Sequence, residues 1–116
     1  AVLPVDMMSG AALATTSMGY FTPAEREMFK RLRPKLGSVT PGGDGYAYAM
    51  LASGSLSAVI DASMKPYDFL ALVPVVEGAG GIITDWEGQP LTLESKGHVL
   101  ATCSPALHRA LMEELR

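Results

Sequence analysis

The chain has 116 residues, 48% hydrophobic and 18% charged, with a formal net charge of −3. That balance describes one globular domain with enough chain to bury a core, and it excludes a disordered polymer. Twelve acidic against nine basic residues offer no electrostatic footprint for nucleic acid or an anionic membrane, and no apolar run approaches the roughly 20 residues that span a bilayer. The single cysteine, Cys103, excludes an internal disulfide and a Cys-based metal site. It favours a reducing compartment, so a cytoplasmic location is expected.

Residues 1–10 carry Pro4, Met7-Met8 and Ser9-Gly10 and read as a linker or frayed start. The opening lacks both a basic n-region and an initiating Met, which suggests a chain that begins partway through something longer. Ala11 to Thr16 is a short buried-type strand. Thr22-Pro23-Ala24-Glu25 is a helix start, with Thr22 as N-cap, Pro23 at the first helical position and Glu25 completing a capping box. That helix sets Phe29 and Leu32 on one face and ends before Pro34. The cluster Lys30-Arg31-Leu32-Arg33-Pro34-Lys35 is its polar end. Lys35 to Thr40 supplies a second strand, closed by Pro41-Gly42-Gly43.

Asp44 to Ser53 has helical spacing and stops at Gly54. Leu56 to Ile60 is strand-like and ends in Asp61. Lys65-Pro66-Tyr67-Asp68 then opens the apolar run Phe69 to Glu77, interrupted by Pro74, where a kink is expected. Gly78, Gly80 and Gly81 stop it. Ile82 to Asp85 is a strand, followed by an Asp85-Trp86-Glu87-Gly88 turn. Gly97 to Thr102 is the last strand. Ser104-Pro105 opens a helix whose Leu107, Leu111 and Leu115 form one stripe, with Glu113 and Glu114 facing solvent. Strands alternating with helices predict an α/β domain over residues 11–116, with a mixed, mostly parallel sheet and helices on both faces. Ligands of such sheets bind beyond the carboxyl ends of the strands, where Asp44, Asp61 and Asp68 fall.

Asp68 lies at a junction of extended chain and helix, so its carboxylate is either a cap or a ligand. Asp44 is a helix N-cap on any reading, and Asp61 a solvated strand end or a substrate contact. Asp85 reads as a turn residue. His98 and His108 lack metal-ligand spacing, and Cys103 reads as a buried strand-end thiol rather than a nucleophile. Gly42-Gly43 is not a Walker loop, since no Gly-Lys-Ser/Thr follows. No Gly-x-Gly-x-x-Gly follows the first strand, which argues against a Rossmann-like nucleotide binder.

The block KPYDFLALVPVVEGAGGIITDWEG, preceded by GGDGYAYAMLASG and a strand ending in Asp61, resembles the carboxyl-terminal half of the inositol monophosphatase family. The wording GGDGYAYA…KPYDFLALVPVVEGAGG is most similar to its histidinol-phosphate phosphatase branch. The resemblance runs from about Ala11 to Leu115 and implies the second domain of an α-β-α-β-α sandwich, in a Mg²⁺-dependent phosphatase. It implies Asp68 as a carboxylate completing the second metal site, Asp61 as the acid that binds a substrate hydroxyl, and Asp44 as a substrate-pocket residue. Asp44 would then serve as counter-charge to the ammonium group of histidinol phosphate. Implied partners are a small phosphorylated alcohol and the amino-terminal half of the same enzyme, with a homo-oligomer expected from the apolar face that half would leave. The family's Gly-Glu-Glu and Asp-Pro-Ile-Asp-Gly-Thr motifs are absent here. One carboxylate without those partners does not hold Mg²⁺ tightly, so the chain alone is expected to be inactive. Inositol phosphate is the rival substrate, and a non-catalytic binding or assembly module the rival role.

Overall fold

In a computed structural model, residues 12–15, 22–41, 51, 56–61, 66–92 and 98–115 are described. The strands are β1 (Ala12–Thr15), β2 (Ser38–Pro41), β3 (Ala58–Asp61), β4 (Ile82–Thr84) and β5 (Val99–Thr102), and the helices are α1 (Pro23–Leu32), α2 (Pro66–Gly78) and α3 (Pro105–Glu114). Among the described residues no helix is long and apolar enough to cross a membrane.

The sheet has the order β2-β1-β3-β5-β4. β1 pairs in parallel with β2 and β3, whereas β5 runs antiparallel to both β3 and β4. β5 is thus the one reversed strand, and β1 to β4 all point the same way. This is the mixed sheet that the alternating pattern predicts, with two parallel and two antiparallel pairings. α2 carries the chain from β3 across to β4, and β5 fills the gap between them.

Side chains alternate across a strand, so register divides the sheet into two faces. Ala58, Ile60, Leu100, Thr102 and Thr84 share one face; Val59, Asp61, Val99, Ala101 and Ile83 share the other. Every residue of β3 and β5 is buried, so both faces of these inner strands are covered. That is why they read as near-continuous apolar runs. Ser57 stitches the inner strands together below β3. Its hydroxyl accepts from the Ala12 N–H at 3.1 Å, its N–H donates to the Ala12 carbonyl at 2.7 Å, and its carbonyl accepts from the Cys103 N–H at 2.9 Å.

The helix starts follow their local signals. Thr22 caps α1, with its Oγ1 accepting from the Glu25 N–H at 3.1 Å while Glu25 Oε1 accepts from the Thr22 N–H at 2.7 Å. α1 buries Met28, Phe29 and Leu32 and passes into a 3-10 turn, Arg33–Lys35, that absorbs Pro34. Ser104 caps α3, whose Leu107 and Leu111 are fully buried. Lys35 Nζ meets Glu114 Oε1 at 2.7 Å and so links that turn to α3; Glu114 is therefore less solvated than the helix pattern suggests. The expected helix over 44–53 lies outside the described residues, apart from the buried, helical Leu51.

The stop of α2 is tight. The Gly80 N–H donates to the Glu77 carbonyl and the Gly81 N–H to the Val76 carbonyl, both at 3.0 Å, and Gly80 has φ +91. A Cβ at Gly81 would meet the Thr102 carbonyl oxygen at 2.8 Å and Val76 Cγ1 at 3.0 Å, whereas one at Gly78 would meet nothing within 4 Å. Gly81→Ala is expected to cost about 2 kcal/mol by overpacking. Gly78→Ala should be neutral or stabilising by a few tenths of a kcal/mol through reduced unfolded-state entropy. Urea unfolding midpoints of the two variants check this; equal midpoints would refute the close contact.

The candidate active-site edge

Because β1 to β4 run the same way, their carboxyl ends lie on one edge of the sheet, and the start of the reversed β5 joins them there. Asp61 is the last residue of β3, paired in register with Val99. It is only 3% exposed. A solvated strand end is therefore excluded: this carboxylate is held inside, where an ionised group has to be met by polar or charged partners. It lies on the sheet face of Val59 and Ala101.

The short connection 62–65 leads from Asp61 to α2, which opens at Pro66. Proline at the first helical position is favourable, since its missing N–H is not needed there. Asp68 accordingly lies inside the first turn rather than at the N-cap, which corrects the junction inferred from sequence. The first turn of a helix offers free N–H groups and a partial positive charge, which suit an acidic residue type. The topology brings the Asp61 and Asp68 backbones to the two ends of one connection at the carboxyl edge. Asp44 lies outside the described residues.

An aspartate oxygen is the hard anionic donor that Mg²⁺ takes. Among the described residues, no three His, Cys, Asp or Glu side chains group to hold a metal. A single aspartate such as Asp68 has the donor chemistry of one contributor to a shared site.

Asp85 is a turn residue. Its Oδ1 accepts from the Glu87 and Gln89 N–H groups, both at 2.9 Å, and the turn closes with Gly88 at φ +85. Cys103 is buried at a strand end, as its type suggests. His98 immediately precedes β5, stacks on Trp86 with ring centroids 4.1 Å apart and meets Glu25 Oε2 at 2.7 Å. His108 is buried in α3 between Thr84 and Thr102, and burial lowers its pKa to about 4. Neither partnership is readable from spacing, because each joins separate elements. The only local hint is that His108 falls between Leu107 and Leu111 on the buried stripe.

The model of the inositol monophosphatase family matches residues 7–116. The chain is 48% identical over 95 residues to the chloroplastic bifunctional phosphatase IMPL2 of Arabidopsis thaliana, covering 82% of this chain and 28% of that protein. It is 34% identical over 79 residues to the histidinol-phosphatase of Chlorobaculum parvum, covering 68% of this chain and 30% of that one. Among solved structures, an inositol monophosphatase from Zymomonas mobilis superposes with a TM-score of 0.91 at 37% identity, over 99% of this chain and 45% of that chain. The chain thus spans less than half the length of each of these relatives. It belongs to the inositol monophosphatase family.

Proposed function

We propose that this chain is the substrate-side half of a Mg²⁺-dependent phosphomonoesterase that hydrolyses a small alcohol phosphate, with histidinol phosphate the favoured substrate. The observation that carries the reading is the pairing of a buried carboxylate, Asp61, with the first turn of α2 across one connection at the carboxyl edge. When bound, divalent cations would supply the positive field that neutralises a phosphoryl group and acidifies water. Asp68 contributes a carboxylate oxygen to the second metal site. The free N–H groups of the first turn of α2 add a partial positive charge to the same edge. Asp61 accepts a hydrogen bond from a substrate hydroxyl, and Asp44 faces the substrate ammonium group.

The remaining ligands belong to the amino-terminal half. α2 supports that partner: between Pro66 and Gly78 its only charged residues are Asp68 and Glu77, and its Val75 is 44% exposed. A helix that is apolar on nearly every side is one that is covered on every side.

The histidinol-phosphatase likeness and the GGDGYAYA…KPYDFLALVPVVEGAGG wording favour histidinol phosphate, while the similarity to an inositol monophosphatase keeps inositol phosphate as the second reading. The test is phosphate release by the full-length protein with Mg²⁺ on both substrates. The expected result is at least about a tenfold higher kcat/KM for histidinol phosphate, the discrimination that one charged contact gives. Asp61→Asn should lower kcat/KM on it. A preference for inositol phosphate would overturn the substrate, and no turnover of either would leave a binding module.

A further inference from the structure

A cavity of about 710 Å³ lies on the other side of the sheet from Asp61. It opens between α1, the carboxyl end of α3 and the turn after β4, with Met28, Leu115 and Trp86 among its walls. α3 is anchored to this side by His108, which reaches Thr84 and Thr102 on the face opposite Asp61. Its volume falls within the range of about 300–1,000 Å³ typical of small-ligand pockets.

The lining is a built arrangement. Trp86 is held by its Nε1–H donating to the Val99 carbonyl at 3.2 Å, and His98 lies over it at an interplanar angle of 12°. Glu25 locks that plate to α1. One of its carboxylate oxygens takes the Thr22 N–H and the other meets His98 Nε2, so both its oxygens are occupied. Two charges around the cavity remain: Arg31 on α1 and Glu87 on the turn. Both are exposed, they do not pair with each other, and neither forms an ion pair with a described residue. An apolar and aromatic floor thus carries a guanidinium and a carboxylate on separate elements, neither paired with a described residue.

We propose that this cavity binds a small zwitterion with an apolar body, the class of apolar α-amino acids and their short peptides. The apolar body covers Met28, Leu115 and the Trp86–His98 plate. The ligand carboxylate pairs with Arg31, whose planar fork suits it. The ligand ammonium pairs with Glu87 and gains cation–π attraction from the indole. A purely anionic ligand would leave its charge against Glu87, and a purely cationic one against Arg31. This site does not rest on the phosphatase reading.

The test is Trp86 emission in the full-length protein, isolated by subtracting the Trp86→Phe variant, during titration with L-phenylalanine and with glycyl-L-phenylalanine. These probes carry their two charges adjacent or one peptide unit further apart. A saturable change is expected with at least one of them. Hydrocinnamate, which lacks the ammonium, and phenethylamine, which lacks the carboxylate, should bind at least tenfold more weakly. Arg31→Gln and Glu87→Gln should each weaken the zwitterion about tenfold, the loss of one charge-assisted contact. Arg31→Gln should not weaken phenethylamine, whose ammonium it no longer opposes. No saturable change with either zwitterion, a single-charge analogue binding as tightly as its parent, or both variants retaining parental affinity would overturn the proposal.

Discussion

Asp68→Asn in the full-length protein is expected to lower phosphate release by about a hundredfold or more, the effect of removing a metal-binding carboxylate. Asparagine keeps the size of the side chain and one carbonyl oxygen but loses the charge that a small, hard cation requires. The Mg²⁺ concentration for half-maximal rate should rise in parallel. The competing role of Asp68 is local. It is the third residue of α2, and a carboxylate at that position would favour the helix start by about 0.3–1 kcal/mol. If that were its whole purpose, Asp68→Asn would lower the urea midpoint slightly and leave both the rate and the Mg²⁺ requirement untouched. Rate and stability therefore separate the two roles in one variant, with Asp68→Glu as control: it restores the charge while displacing it by one methylene.

What was legible in this chain is mostly what short-range chemistry dictates. Thr22, Pro23 and Glu25 form a capping box, Ser104-Pro105 opens a helix, and Asp85 closes a turn; each is decided by residues within four positions of one another. The strands also stand where β-branched and apolar runs put them. What escaped is set by partners far away in sequence. That β5 runs backwards between β3 and β4 depends on pairing Val99–Thr102 with two strands at once, which no local pattern of VLAT encodes. The burial of Asp61, whose strand neighbour is the distant Val99, is also beyond local pattern, and so is the Trp86–His98–Glu25 plate. The carboxylates themselves were legible through a family motif rather than through periodicity. Among them, Asp44 lies outside the described residues, and Asp68 proved to be inside a helix turn instead of at its cap.

The second large effect is on stability against acid, and it comes from His108. Its Nε2 is 2.7 Å from Thr84 Oγ1 and its Nδ1 is 2.9 Å from Thr102 Oγ1. Thr84 Oγ1 also reaches the Asp85 carbonyl at 2.7 Å, and the Ser104 carbonyl near Thr102 already accepts the His108 N–H at 3.0 Å. These contacts assign the neutral Nε2–H tautomer: Nε2–H donates to Thr84, Thr84 donates to Asp85, and Thr102 donates to Nδ1 without leaving the Ser104 carbonyl bare. A charge at this ring would be buried, which lowers its pKa from 6.5 to about 4. Above pH 6.5 the ring is neutral whether the chain is folded or unfolded, and no penalty arises. As pH falls from 6.5 to 4 the unfolded chain takes the proton and the folded one does not, so stability drops by up to about 3 kcal/mol. His108→Leu removes that slope. It also removes two hydrogen bonds, worth about 1 kcal/mol each, while both threonine hydroxyls keep a carbonyl to donate to. The variant should therefore be about 2 kcal/mol less stable than the parent at pH 7.5 and roughly equal to it near pH 5. Urea unfolding of both proteins across that range measures the difference directly; the Glu25–His98 pair and every other titrating group are common to the two and cancel. Parallel pH profiles would show that His108 titrates alike in the folded and unfolded chain.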